Sequence, residues 1–333
     1  MTGFTGPPKG AILRAVDPLP DGSPAPAPPT GRKSALAFFG VLLALWVPGA
    51  LAQSTVLPLG LAWTELFAFL LSALVATAGS NLRALPYLRL GPTRPAPLAL
   101  GALAGGAAYL FAGAVLTLTQ QAVPQRWLEV FDPVRLFEGP RAERLLLAGV
   151  ATVLAPVCEE IAFRGYLQTT LALRRRPGAA IAGAALLFAL LHMNPVLFPA
   201  LVVLGAVFGW LTWRAGSIWP AVIAHAVNNA VTSTLVLAGA PTPPAAPVPA
   251  TDIAVALVFG GGVLLVALTA YRAATPQPPA AAAALVLRDP SDPSIRFSPA
   301  RVPPGLAAAV VGGLALLAAL LVLGALRAWP PKP

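Results

Sequence analysis

From Ser34 onward the sequence is a succession of apolar stretches about 20 residues long, separated by short polar breaks. A helix of that length spans roughly 30 Å of hydrocarbon. Inside a bilayer, backbone groups have no water to bond, so a spanning segment must be helical or part of a closed barrel. The apolar stretches here are read as helices by their length. The predicted fold is therefore all-α: a polytopic transmembrane helical bundle of about 8–9 spans. The candidate spans are 34–53, 61–79, 97–118, 145–173, 178–194, 196–213, 217–238, 252–271 and 305–327. Only Asn194-Pro195 separates the fifth from the sixth. Composition agrees, since 57% of the residues are hydrophobic and only 10% are charged, whereas a soluble domain carries about a quarter charged residues.

The polar segments suggest four regions. Residues 1–33 are rich in Pro, Gly and Ala without an apolar core, which predicts a disordered tail rather than a signal peptide. Residues 34–144 hold the first spans and a loop, 119–143, whose RWLEVFDPVRLF run is expected to lie at the interface as an amphipathic helix. Residues 145–238 form a core, and 239–333 carry the last spans. This last region also holds a stiff PTPPAAPVP connector and a Pro/Ala-rich linker at 272–304. The net charge of +10 does not indicate nucleic acid, because the basic residues sit in short clusters between apolar runs. With a cytoplasmic N-terminus, fifteen Lys and Arg lie on the inside against six outside, so the expected topology is N-in and C-out. The Ala- and Pro-rich style points to a bacterial inner membrane as the location. Cys158 is the single cysteine. It is expected to be a small buried residue, because an apolar setting disfavours the thiolate.

An ionisable side chain within a span costs about 2.5–3.5 kcal/mol on insertion scales, so each one requires a reason. The spans contain Glu65, Glu159, Glu160, Arg164, His192 and His225, the last two being both histidines of the chain. Glu160 and Arg164 are four apart, the spacing at which opposite charges meet on one helical face. Glu159 is rotated about 100° away and has no local partner. Pro156, one turn earlier, removes a ladder bond and can bend the segment. Phe188 and His192 share a face, as do His225 and Asn229, while Asn228 points elsewhere. Glu65, near one end of the second span, could line the cavity or reach the interface, and the interface is favoured. Counted from the Arg174–Arg176 turn, Glu159 and His192 both lie about 22–24 Å into the bilayer, and His225 lies about 16 Å from Arg214. Three spans thus bring a carboxylate, two imidazoles and a carboxamide toward one layer.

A carboxylate and an imidazole in such a layer can activate water as a general base. A second histidine with an asparagine can donate hydrogen bonds to an oxyanion. Glu159, His192 and His225 could instead hold a divalent metal such as Zn, with water at the open position. A proton- or ion-relaying transporter uses similar residues, but the sequence shows no paired inverted repeat.

The motifs EEIAFR (159–164), FALLH (188–192) and HAVNN (225–229) together resemble those of the CPBP intramembrane proteases. That family includes the type II CAAX prenyl endopeptidases and bacterial immunity and bacteriocin-processing relatives. The resemblance covers about 145–238. It implies an endopeptidase acting on a membrane-embedded, membrane-associated or lipid-modified peptide. Glu159 and His192 would activate water, His225 and Asn229 would stabilise the oxyanion, and Glu160, Arg164 and Phe188 would shape the site. Family members are described both as metalloenzymes and as metal-free glutamate enzymes, so the resemblance leaves the cofactor open. A catalytically idle scaffold or immunity factor is the remaining alternative.

Overall fold

The structure is a computed structural model that describes residues 31–78, 84–172, 175–239 and 247–275. The span expected at 305–327, most of the tail, and the linker beyond Thr275 lie outside these residues, as does most of the connector after Gly239. Among the described residues there is no strand, and the elements are helices joined by short turns. Eight of them form the bundle: α1 (Gly31–Gln53), α2 (Leu57–Ala78), α3 (Pro95–Ala122), α4 (Arg141–Ala172), α5 (Pro177–Leu191), α6 (Phe198–Ala215), α7 (Trp219–Leu237) and α8 (Ala250–Ala274). Seven are long and apolar enough to cross a membrane, α5 being the shorter exception. The chain is an integral, multi-pass membrane protein. Its first helix already includes residues 31–33, expected as tail, and its last runs to Ala274, beyond the expected linker start at 272.

The fifth expected span is corrected. The helix stops at Leu191 after 15 residues, a rise of about 22 Å, rather than continuing to Asn194. Met193 adopts a left-handed backbone with φ +47°, and a residue preceding proline, here Asn194, is pushed out of the helical region. Asn194 then turns the chain into α6, its Oδ1 accepting from the Val196 and Leu197 amides at 3.1 and 3.0 Å. His192 therefore sits in a turn between α5 and α6, not inside a span.

The loop expected to be an interfacial helix is instead broken in two. A helix at Gln125–Val130 is followed by a 3-10 turn at Pro133–Phe137. Asp132 separates them, its carboxylate capping the Val134 amide at 2.9 Å. Asp and Pro favour this arrangement because the side chain replaces a helical acceptor and proline needs no donor partner.

Packing divides into two apolar clusters. One joins α1, α2, α4, α5 and the start of α7 through Phe38, Phe69, Phe163, Tyr166 and Phe188. The other joins α3, α6, α7 and α8 through Ala104, Ala108, Phe208, Leu211 and Tyr271. Helix α3 touches its neighbours mostly with Ala and Gly, which lets backbones approach closely. Gly101 and Gly105 face Pro220 and Ala224 of α7 so tightly that an added Cβ would collide with their backbone. By contrast, α8 turns Val255, Val258, Leu265 and Val266 outward, the face expected against lipid. Helices α4, α6 and α7 meet where the clusters adjoin, and the polar residues gather there.

Two helices are locally widened. Helix α2 is π-helical over Thr64–Leu71, and α4 over Val150–Leu154 and Ile161–Leu167. Such insertions of one residue into a turn shift the side chains that follow and are concentrated at functional sites. The three π-helical stretches surround one group of buried polar residues.

Candidate active site

The centre is the Glu160–Arg164 pair expected from the sequence spacing. Arg164 Nη1 donates to Glu160 Oε1 at 2.7 Å, and both side chains are fully buried. Arg164 also donates through Nη2 to the Gly205 carbonyl of α6 at 3.2 Å. Its guanidinium lies 4.5 Å from the Phe188 ring centroid and 5.4 Å from that of Phe208. A flat, weakly hydrated cation fits this aromatic slot better than a lysine would. One turn later, Gln168 donates to the Gly209 carbonyl at 2.9 Å. Helix α4 is thus fastened to the α6 backbone at two carbonyls.

The same Glu160 oxygen accepts a second bond, from His225 Nδ1 at 2.9 Å. An ionised carboxylate only accepts, so Nδ1 carries a hydrogen. The remaining nitrogen, Nε2, faces Glu159 Oε2 at 3.8 Å. The imidazole stacks on Phe208, with centroids 4.9 Å apart, and meets Phe188 edge-on at 5.8 Å. Two aromatic walls and one carboxylate therefore fix the His225 ring and aim Nε2 at Glu159. Glu159 Oε2 is buried and lacks a hydrogen-bond partner, as does Glu160 Oε2.

His192 occupies the rim. It is exposed, its ring rests on Phe188 at 4.7 Å, and Nδ1 lies 2.8 Å from the Phe188 carbonyl. A carbonyl only accepts, so Nδ1 bears the hydrogen and Nε2 keeps a free lone pair. Phe188 thus touches both histidines and the arginine, but His192 makes no direct contact with Glu159. The turn beside it is tied to the broken loop, Asn194 Nδ2 donating to the Phe131 carbonyl at 2.9 Å.

Asn229 departs from its expected pairing. Its amide donates to the Ala151 carbonyl at 2.8 Å, within the first π-helical stretch of α4, and not to His225. Asn228, which sequence spacing turned away, is buried and donates to Asn229 Oδ1 at 3.1 Å. The pair therefore locks α7 to α4 one turn beyond His225.

Glu65 is also corrected. Instead of reaching the interface it is 2% exposed, and its carboxyl lies at hydrogen-bonding range of Glu159. The signal was available, because Glu65 is an ionisable residue inside a span. The interface is the favoured reading from sequence because Glu65 stands far from the three motifs. Phe208, by contrast, left no trace among many apolar residues.

Among the described residues no three His, Cys, Asp or Glu side chains stand together as a metal-holding group. His225 and His192 are each held through Nδ1, by Glu160 and by the Phe188 carbonyl, which leaves Nε2 of both rings open, that of His225 3.8 Å from Glu159 Oε2.

Residues 141–231 match the family model described as type II CAAX prenyl endopeptidase Rce1-like. The chain carries an Rce1-like segment. It includes Glu159, Glu160, Arg164, Phe188, His192, His225 and Asn229, and it excludes Glu65. The Rce1-like match points to proteolysis of a membrane-associated protein substrate. No curated protein and no solved structure matches the chain.

Proposed function

We propose that this protein is an intramembrane endopeptidase of the CAAX type in which Glu159 activates the attacking water. The observation that supports this is the buried Glu159 oxygen, without a hydrogen-bond partner and facing His225 Nε2 at 3.8 Å. As general base, Glu159 removes a proton from water while the oxygen attacks the scissile carbonyl. His225, oriented through Nδ1 by Glu160 and carrying a hydrogen on both nitrogens as an imidazolium, then presents Nε2–H toward the developing oxyanion, and Asn229 contributes its second amide hydrogen. The proton held by Glu159 passes to the leaving amine as the peptide bond breaks. His192, with its Nε2 lone pair free at the rim, accepts from water entering the site. Each of these donors is fixed before substrate arrives, which is where an electrostatic contribution to rate originates.

The reading routes no step through a metal, since Glu159 supplies the base and His225 the oxyanion donor. Prolonged chelation of purified protein in nanodiscs is expected to leave turnover within about twofold. A loss restored by added zinc would overturn the metal-free form of the proposal.

The deciding experiment uses an internally quenched peptide ending in a prenylated cysteine and three further residues, beside its unprenylated counterpart. Cleavage by the wild type and its loss in Glu159→Ala, at equal expression and monodispersity, is the expected result. Undiminished cleavage by Glu159→Ala would sink the assignment. Lipid dependence is read from the two peptides, faster cleavage of the prenylated one being expected.

A further inference from the structure

We infer that Glu65 is a positioning residue of the active site: its carboxyl donates a hydrogen bond to Glu159 and fixes which Glu159 oxygen faces the reaction. This rests on the protease reading, and it adds a residue from α2 that lies outside the Rce1-like segment. The geometry carries it. Glu65 is 2% and Glu159 6% exposed, and the two carboxyl groups lie at hydrogen-bonding range. Two carboxylates offer only acceptors, so a bond between them requires a hydrogen on one.

The surrounding charges favour that state. Near this pair stand Glu160, Arg164, His225 and the buried Cys158. Three ionised carboxylates against one guanidinium would leave uncompensated charge where water is excluded. One retained hydrogen, together with Arg164 and an imidazolium at His225, leaves the group neutral.

Glu65 lies in the π-helical stretch Thr64–Leu71, which packs against α4 beside Glu159. Neighbouring Thr64 receives a bond from Gln53 of α1 at 2.8 Å and donates to the Gly60 carbonyl at 3.0 Å. The widened turn is therefore held from behind while it delivers Glu65 forward. With one Glu159 oxygen bound by Glu65, the other is left toward His225. Without the bond the carboxylate can rotate, and misorientation of a base lowers the rate while hardly touching substrate binding.

Two measurements test this on the full chain in nanodiscs. The first compares Glu65→Ala, Glu65→Gln and the wild type on the quenched prenyl peptide. Alanine is expected to reduce kcat by about tenfold or more with KM unchanged. Glutamine, whose amide still donates, should recover most of that loss. Wild-type kcat in Glu65→Ala, or a Gln variant as slow as the Ala variant, overturns the inference.

The second needs no substrate. Infrared spectra of protein labelled with carbon-13 glutamate should show a hydrogen-bonded carboxylic-acid carbonyl band at neutral pH that disappears in Glu65→Gln. A wild type without that band, or a band that survives the substitution, overturns the pairing. If Glu65→Ala does not fold, the Gln variant and the band still decide. Full turnover in Glu159→Ala would instead remove the protease reading, and the infrared result would then judge the Glu65–Glu159 bond by itself.

Discussion

Arg164 shows how one side chain makes a charged group tolerable in a membrane. It pairs with Glu160 Oε1, reaches the Gly205 carbonyl and fills the slot between Phe188 and Phe208. Removing one member of a buried ion pair leaves the other uncompensated, at a cost of about 3–5 kcal/mol. Arg164→Met is therefore expected to lower the melting temperature strongly in detergent. Arg164→Met with Glu160→Gln should recover part of that loss, because the stranded charge is then gone. A double variant less stable than the single would contradict the pairing. His192 lies at the other extreme, exposed in the turn after α5 and bonded only to the Phe188 carbonyl one turn back. His192→Ala should leave the melting temperature within about 2 °C while lowering turnover by about a hundredfold, the lower range for loss of a group that assists proton transfer from water. Equal losses of stability and activity would make its role structural.

At the scale of the element, tight packing carries the precision of the site. His225 follows Ala224, whose backbone lies against Gly105 of α3. Gly105→Ala forces the two helices apart and should cost about 1–3 kcal/mol, as overpacking does. Gly106→Ala is the matched control. Its Cβ would meet open space, so it should be neutral or stabilise the helix by up to about 1 kcal/mol. Melting curves of the two variants check this directly, and equal effects would deny the close approach. The elements also differ in how readable they were. The i,i+4 pair Glu160–Arg164 follows from helical period alone. The π-helical turns at Val150–Leu154 and Thr64–Leu71 do not, because a one-residue widening depends on tertiary bonds such as Asn229 to Ala151. Helical period alone therefore pairs Asn229 with His225, where the structure bonds it to Ala151.

For the whole molecule, apolar run length gave the bundle, and hydrocarbon thickness explains why so coarse a signal sufficed. The failures fall where chain geometry overrides hydropathy: Met193 and Asn194 end α5 inside an apolar run. The match at 141–231 also marks less than the working unit. Helices α2 and α3 lie outside it, yet one supplies Glu65 and the other supports α7. A chain shortened to 141–239 should therefore lose turnover and monodispersity in detergent. An active, monodisperse fragment would show that the segment is self-sufficient. Arg89 adds a second tie across the bundle. It is buried in the turn before α3, donates to Thr169 of α4 at 3.0 Å, and accepts at its carbonyl from the Ile218 amide ahead of α7. Burial lowers its pKa to about 10.

The early stop of α5 has a consequence for where a peptide bond can be reached. A column about 22 Å tall in a hydrocarbon layer of about 30 Å leaves a step of roughly 8 Å. Lipid tails fill such a step poorly, and the leaflet above it is drawn thinner. Headgroups and their hydration are then expected to descend toward His192, the residue that follows α5. Hydrolysis would be supplied from a dent in the membrane surface rather than through a pore. A polypeptide resting at that surface could enter sideways, without any helix having to part from its neighbours.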